Sequence, residues 1–217
     1  MTKTTGANIA GTPGIEGYVV AGGQSRRFGQ DKARALLNGQ AMLTRMCNLI
    51  ADTAGSVRVV ADGKSRYADL EASVVEDLWP GEGPLGGIVT ALLATSAAAS
   101  GRDWNLIVGC DMPFLTREWL AHLAQRALAG KAQVVLAHSA HGPEPLCACW
   151  RTDAVATLEA AFKRGVRRVN EGIALLRAEV LDERDWKRFD SAGRLFWNMN
   201  TPGDYQEARN ILEAEQQ

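Results

Sequence analysis

Four short β-branched runs, each separated from the next by a longer segment whose apolar residues recur three and four apart, leave few architectures open to this chain. The runs are GYVVA at 17–21, VRVVA at 57–61, NLIVG at 105–109 and QVVLA at 133–137. They are apolar on both sides of the strand axis, so they need cover above and below, as the strands of a parallel sheet do. The intervening segments MLTRMCNLIADTA at 42–54, LGGIVTALLATSAAA at 85–99 and REWLAHLAQRALAG at 117–130 have the period of core-facing helices. Strand, loop and helix in repetition predict an α/β chain: three α/β/α layers, Rossmann-like, around a mostly parallel mixed sheet.

The second half is less regular. PLCACW at 145–150 reads as a strand, DAVATLEAAFKRG at 153–165 as an amphipathic helix, RVNEGIALL at 168–176 as another, and EVL at 179–181 precedes a polar stretch. LFW at 195–197 reads as a short apolar strand. A turn then leads to a last helix with Thr201 at its N-cap and Pro202 in its first position. Residues 1–16 are small, polar and rich in Gly and Thr, which suggests a flexible leader and places the folded unit, a single domain, at 17–217.

Charge excludes one large class of partners. Twenty-four Lys and Arg against 25 Asp and Glu give a net charge of −1, which leaves no excess to hold a polyanion, so nucleic acid is not expected. No apolar stretch reaches the ~20 residues of a membrane span, and the N-terminus lacks the apolar run of a signal peptide, so a cytoplasmic protein is expected. The four cysteines lack CxxC pairing and read as reduced structural thiols.

The loop after the first run, VVAGGQSRRFGQDK at 19–32, concentrates chemistry. Gly22 and Gly23 let backbone amides approach a ligand, and Arg26, Arg27 and Lys32 follow with positive charge, as an anion nest requires. The glycine spacing matches neither the dinucleotide fingerprint GxGxxG nor the P-loop. Taken alone, the segment fits a phosphate cradle and a glycine turn with a solvated basic edge equally well.

Three further stations follow in order. In VVEDLWPGEGPLGGIVTAL at 74–92, Asp77 could accept hydrogen bonds from ring nitrogens or ribose hydroxyls, and Gly83, Gly86 and Gly87 permit the approach of a flat ring; a helix-entry loop with a capping acid is the other reading. In NLIVGCDMPFL at 105–115 a buried strand delivers Asp111 to its carboxyl end, where open α/β sheets place ligands, and a hard carboxylate suits Mg²⁺. Cys110 beside it reads as packing. In WNMNTPGDY at 197–205, Asn198 and Asn200 lie two apart on a strand-like run, so their amides should face one side and grip one ligand. His138 and His141 flank Ser139 with no acid at catalytic spacing.

The ordered motifs closely resemble the molybdenum cofactor guanylyltransferase family, nucleotidyltransferases whose first pattern runs Leu-Ala-Gly-Gly-x-Ser-x-Arg-Met-Gly-x-Asp-Lys. Val20 replaces the leucine and Phe28 the methionine, both apolar exchanges. The resemblance spans about 17–207 and includes GPLGG, Cys-Asp-x-Pro and Asn-x-Asn-Thr-Pro. It implies transfer of GMP from GTP to molybdenum-bound molybdopterin, with Val20, Ala21, Gly22 and Gly23 against the nucleotide and Lys32 on the triphosphate. It further implies Asp77 and Gly86 near guanosine, Asp111 on Mg²⁺, and Asn198 and Asn200 on the pterin side. Arg27 is a second phosphate candidate, with the choice between it and Arg26 open; Arg167 and Arg168 in KRGVRRVNEG lie near where the family receives the phosphorylated pterin, Arg168 being the acceptor candidate, and a solvated basic helix start is the equal alternative. The nucleotide would then lie over the first half of the domain and the acceptor over the second, and molybdoenzymes or other cofactor-assembly proteins would be partners. A cytidylyltransferase for the same pterin, a sugar- or alcohol-phosphate nucleotidyltransferase, and a non-catalytic GTP and cofactor carrier are the alternatives.

Overall fold

The computed structural model describes residues 12–22, 28–29, 31–98 and 101–215. The strands are β1 (Ile15–Val20), β2 (Leu36–Leu37), β3 (Gln40–Ala41), β4 (Val57–Ala61), β5 (Val74–Glu76), β6 (Trp104–Gly109), β7 (Val134–Ser139), β8 (Gly142–Arg151) and β9 (Ala178–Leu181). The helices are α1 (Met42–Ala51), α2 (Pro84–Ala97), α3 (Arg117–Ala129), α4 (Val155–Lys163), α5 (Val169–Ile173), α6 (Glu183–Trp186) and α7 (Pro202–Ala214). Seven strands form one sheet in the order β5-β4-β1-β6-β8-β7-β9, and β2 pairs with β3 in a small hairpin.

β8 runs antiparallel to both of its neighbours, and every other pairing in the large sheet is parallel. The mixed, mostly parallel sheet is therefore the one the sequence predicts. β8 returns from β7 through a tight turn whose Gly142 has φ +113, a conformation that glycine adopts without strain.

β1 and β6 are buried along their whole length. One sheet face packs Val19, Leu106 and Val135 against α1, α3 and the C-terminal segment, with Met46, Trp119 and Met199 in the same cluster. The other packs Tyr18, Ile107 and Leu136 against α2, α4 and α5, with Ile88, Leu158 and Phe162. Burial at roughly 25 cal/mol per Å² of apolar surface makes these two layers the main source of stability. Gly17 is needed where α1 returns to the sheet: a Cβ there would lie 3.0 Å from both the Ala54 Cβ and the Ser56 carbonyl oxygen.

Three details depart from the sequence reading. Residues before Gly17 take part in the fold: Thr12 bridges Ala54, β1 starts at Ile15, and Glu16 is buried under Arg58, Arg102 and Ser56. Pairing of Ile15 with Trp104 and satisfaction of a buried carboxylate by two guanidiniums draw these residues into the sheet; residues 1–11 lie outside the described set. Second, Leu195–Trp197 does not form a strand. Phe196 instead packs edge-on against Trp119 and Trp186, and Trp197 against Phe114, so aromatic contacts fix this segment in place of a ladder. Third, RVNEGIALL is helical over Val169–Ile173 alone.

The last helix forms as expected. Thr201 accepts from the Asp204 amide, Asp204 accepts from the Thr201 amide, and Pro202 occupies the first turn, a reciprocal capping box.

Candidate active site

The chain goes from β1 outward to β4 and β5, then returns to β6 on the other side of β1. Between the carboxyl ends of β1 and β6 the connections therefore diverge, and a cleft opens there, as it does at the switch point of open α/β sheets. Its volume is about 490 Å³, and Val20, Ala21, Gly22, Lys32, Asp77 and Asp111 all line it. The Cys110 amide donates to the Val20 carbonyl at 3.2 Å and ties the two strand ends together.

Lys32 opens a short 3₁₀ turn, Lys32–Arg34, capped by the Asp31 side chain, which accepts from the Ala33 amide at 3.1 Å. The Lys32 Nζ lies 3.4 Å from the Asp111 carboxylate and donates to Asn200 Oδ1 at 2.9 Å. Residues far apart in the chain thus meet on one ammonium. The Met199 amide donates to the Asp111 carbonyl at 2.8 Å, which sets the C-terminal segment against β6.

Asp77 follows β5 directly. Its Oδ1 accepts from the Trp79 amide at 3.0 Å and from the Thr90 hydroxyl at 3.1 Å, so one carboxylate oxygen shapes the loop into α2, while Oδ2 lies on the Gly22 side. Gly81 and Gly83 line the cleft with φ of +83 and +93, and Gly83 caps α2 without a side chain. The N-terminus of α2 therefore faces the cleft with only glycine and proline in between.

Gly86, expected near a flat ring, is not among the residues that line the cleft. It lies inside α2, where a Cβ would meet the Trp79 Cβ at 3.3 Å and the Phe162 ring at 3.5 Å, so its missing side chain admits protein rather than ligand. Gly87 lines the cleft and receives the Val20 side chain, 3.0 Å from where a Cβ would sit.

Of the paired asparagines, Asn200 reaches the cleft through Lys32, whereas Asn198 donates to the Phe196 carbonyl at 3.2 Å. The segment that carries both is not a strand, and Met199 between them is buried while Asn198 is half-buried and Asn200 exposed. Arg168 is 86% exposed at the start of α5, 3.9 Å from Glu171. Neighbouring Arg167 lies over the Phe162 ring and pairs with Glu82 at 2.6 Å. Gly23, Arg26 and Arg27 lie outside the described residues.

Several features of the site were not legible in the motifs. Tyr67, fully buried, directs its hydroxyl at the Ala21 carbonyl and the Asp31 carboxylate. Glu144, 7% exposed, accepts from Ser139 at 2.6 Å, and burial raises its pKa, with Asp111 adding to the shift while Ser139, His141 and His138 oppose it. Ser139 therefore has an acid partner of its own five residues on. All four cysteines are free, and burial, reinforced by Asp111, pushes the Cys110 thiol well above its usual range, so it offers no thiolate for nucleophilic attack.

Asp111 fits a divalent cation. Its side chain is 28% exposed in the cleft, it is a hard oxygen donor, and Mg²⁺ takes one or two carboxylates and completes its shell with phosphates and water. No helix among the described residues is long and apolar enough to cross a membrane.

The family model described as "MobA-like NTP transferase domain" matches residues 17–179. A protein of Chloroflexus aggregans named "Probable molybdenum cofactor guanylyltransferase" is 34% identical over 88% of this chain and 91% of its own length. The "Molybdenum cofactor guanylyltransferase" of Rhizobium leguminosarum bv. trifolii is 33% identical over 92% and 94%. Among solved structures, molybdopterin-guanine dinucleotide biosynthesis protein A from Archaeoglobus fulgidus superposes with a TM-score of 0.78 at 25% identity, covering 92% of this chain and 99% of that one. With that structural likeness and a family match over residues 17–179, the chain belongs to the MobA-like NTP transferase family.

Proposed function

We propose that this chain is a molybdenum cofactor guanylyltransferase, which transfers GMP from GTP to the terminal phosphate of molybdenum-bound molybdopterin and releases pyrophosphate. The observation that carries the reading is the meeting of Lys32 and Asp111, 3.4 Å apart, at the switch point of a nucleotidyltransferase sheet. Relatives covering nine-tenths of the chain bear that name.

In the reaction, an oxygen of the acceptor phosphate attacks the α-phosphorus of GTP. The bond from that phosphorus to the β-phosphate oxygen breaks, and pyrophosphate departs with the electron pair. The attacking group is already an anion, so no strong general base is needed. What remains is alignment and charge neutralisation. Lys32 supplies a fixed positive charge for the triphosphate, and Asp111 would hold Mg²⁺. When bound, that ion neutralises charge on the phosphates and on the leaving pyrophosphate.

Val20, Ala21 and Gly22 form the wall along which the nucleotide lies, and Gly23 and Arg27 are further nucleotide-binding residues in this reading. Asp77 suits guanine, whose N1 and exocyclic amine both donate. The surface around Asn198, Asn200 and Arg168 receives the pterin. The protein works in the cytoplasm and passes its product to molybdoenzymes.

The test is pyrophosphate release with GTP, CTP, ATP and UTP in turn, with Mg²⁺ and molybdenum-loaded molybdopterin. GTP should be preferred by at least about tenfold, the worth of one hydrogen bond to a charged group. Equal rates with CTP would remove the guanine assignment.

A further inference from the structure

The chain leaves the sheet at Ala21, after β1, and Asp31 and Lys32 line the same cleft. One side chain touches both Ala21 and Asp31. The Tyr67 hydroxyl lies 3.3 Å from the Ala21 carbonyl oxygen, and 3.3 and 3.2 Å from the two Asp31 carboxylate oxygens. Ala21 is held from the other side as well, its amide donating to the Val60 carbonyl at 2.9 Å.

The rest of the 62–69 segment reinforces the Asp31 end. Arg66 donates to Asp31 Oδ2 at 3.2 Å, pairs with Asp62 and lies 5.3 Å from the Tyr67 ring centroid. Arg34, at the far end of the Lys32 turn, donates to the Arg66 carbonyl at 2.8 Å and to Asp69 at 2.5 and 2.9 Å. Its guanidinium also lies 5.6 Å from the Tyr67 ring centroid. Asp31 in turn caps the turn that begins at Lys32.

We infer that Tyr67 is a positioning residue that staples Ala21 to Asp31 and, through Asp31, fixes the turn from which Lys32 reaches the cleft. Its ring fills the core and its single proton is shared between the Ala21 carbonyl and the Asp31 carboxylate. Burial and the facing Asp31 raise its pKa, against the opposing effect of Arg66, so the hydroxyl stays a donor at neutral pH. Because the staple joins Ala21 and Asp31 and involves no ligand, it operates before nucleotide arrives. Its consequence for triphosphate binding rests on the function proposed above.

The test is Tyr67→Phe in the full chain, which keeps the ring and removes only the hydroxyl. The control is Tyr18→Phe, which removes an equally buried hydroxyl, 2.8 Å from the Thr95 hydroxyl on the opposite sheet face. Hydrogen exchange of the ligand-free proteins should rise by about tenfold at the Ala33, Arg34 and Ala35 amides, which bond within the Asp31–Ala35 turn, in Tyr67→Phe, the effect of one lost hydrogen bond to a charged group on local opening, and stay at the wild-type level there in Tyr18→Phe. Calorimetric titration with GTP should then show a comparable loss of affinity in Tyr67→Phe alone.

Unchanged exchange at the Ala33, Arg34 and Ala35 amides would overturn the staple. Raised exchange with wild-type GTP affinity would overturn the positioning of Lys32. Equal effects of both variants would show general loss of packing and also overturn it. A wild-type protein that binds no nucleoside triphosphate would count against the proposed function, while the exchange result would still decide the staple.

Discussion

Lys32 donates to Asn200 across 168 residues of sequence, at 2.9 Å, while its other contact, Asp111, lies 3.4 Å away. The ammonium therefore sits where the loop after β1, the end of β6 and the approach to α7 converge. A substitution at Asn200 should act on the alignment of Lys32 more than on the nucleotide's own contacts. In Asn200→Ala we expect kcat to fall about tenfold, as for one lost hydrogen bond to a charged group, with the KM for GTP changed less. Initial rates with both substrates varied measure the split.

Lys32→Ala should lower both GTP affinity and turnover, the latter by roughly a hundredfold, in line with loss of one preorganised charge. Lys32→Arg should recover only part of this, because a planar guanidinium replaces a point charge. Calorimetric titration with GTP, beside steady-state rates, reads both effects.

Asp77 has a structural duty that overlaps its expected base contact. Loss of its bonds to Trp79 and Thr90 in Asp77→Ala should cost about 1–3 kcal/mol, or roughly 2–4 °C of melting temperature per kcal/mol in a chain of this size. Thr90→Val removes one of those bonds without touching the cleft. It should lower the melting temperature and leave the GTP-to-CTP ratio of kcat/KM unchanged, whereas Asp77→Asn should reduce that ratio while largely keeping the fold.

Glu144 makes stability depend on pH. Burial raises its pKa above the ordinary 4.5, so the folded state keeps this proton to higher pH than the unfolded state does. Stability is therefore lost as pH rises from the unfolded value through the folded one, and the deficit persists above it. Glu144→Gln abolishes the ionisation and retains the Ser139 contact. Its melting temperature should exceed that of the wild type near pH 8, and the gap should close as pH falls toward 4.5; a gap independent of pH would contradict the assignment.

Much of the scaffold was legible because burial leaves a periodic trace. VRVVA forms a strand over Val57–Ala61 as read, REWLAHLAQRALA forms α3 over Arg117–Ala129, and Thr201 caps α7. Asp111 was legible as a carboxylate delivered by a buried strand. Contacts between distant segments leave no such trace. Tyr67 meets Asp31 36 residues away, and nothing local in SRYADL signals a bond across that distance. The Leu195–Trp197 run has strand composition, yet the rings of Trp119, Trp186 and Phe114 offered its aromatics better contacts than a ladder. The packing of Trp79 and Phe162 against Gly86 was likewise not legible, because spacing alone does not say which neighbour a missing side chain admits.

The most direct measurement of guanylyl transfer is mass analysis of the cofactor released after incubation of the wild-type chain with GTP, Mg²⁺ and molybdenum-loaded molybdopterin. The expected result is a molybdopterin guanine dinucleotide formed in step with pyrophosphate, with product falling by roughly a hundredfold in Asp111→Ala at unchanged fold. Unmodified molybdopterin after complete incubation, or an Asp111→Ala protein that makes the dinucleotide at the wild-type rate, would contradict it.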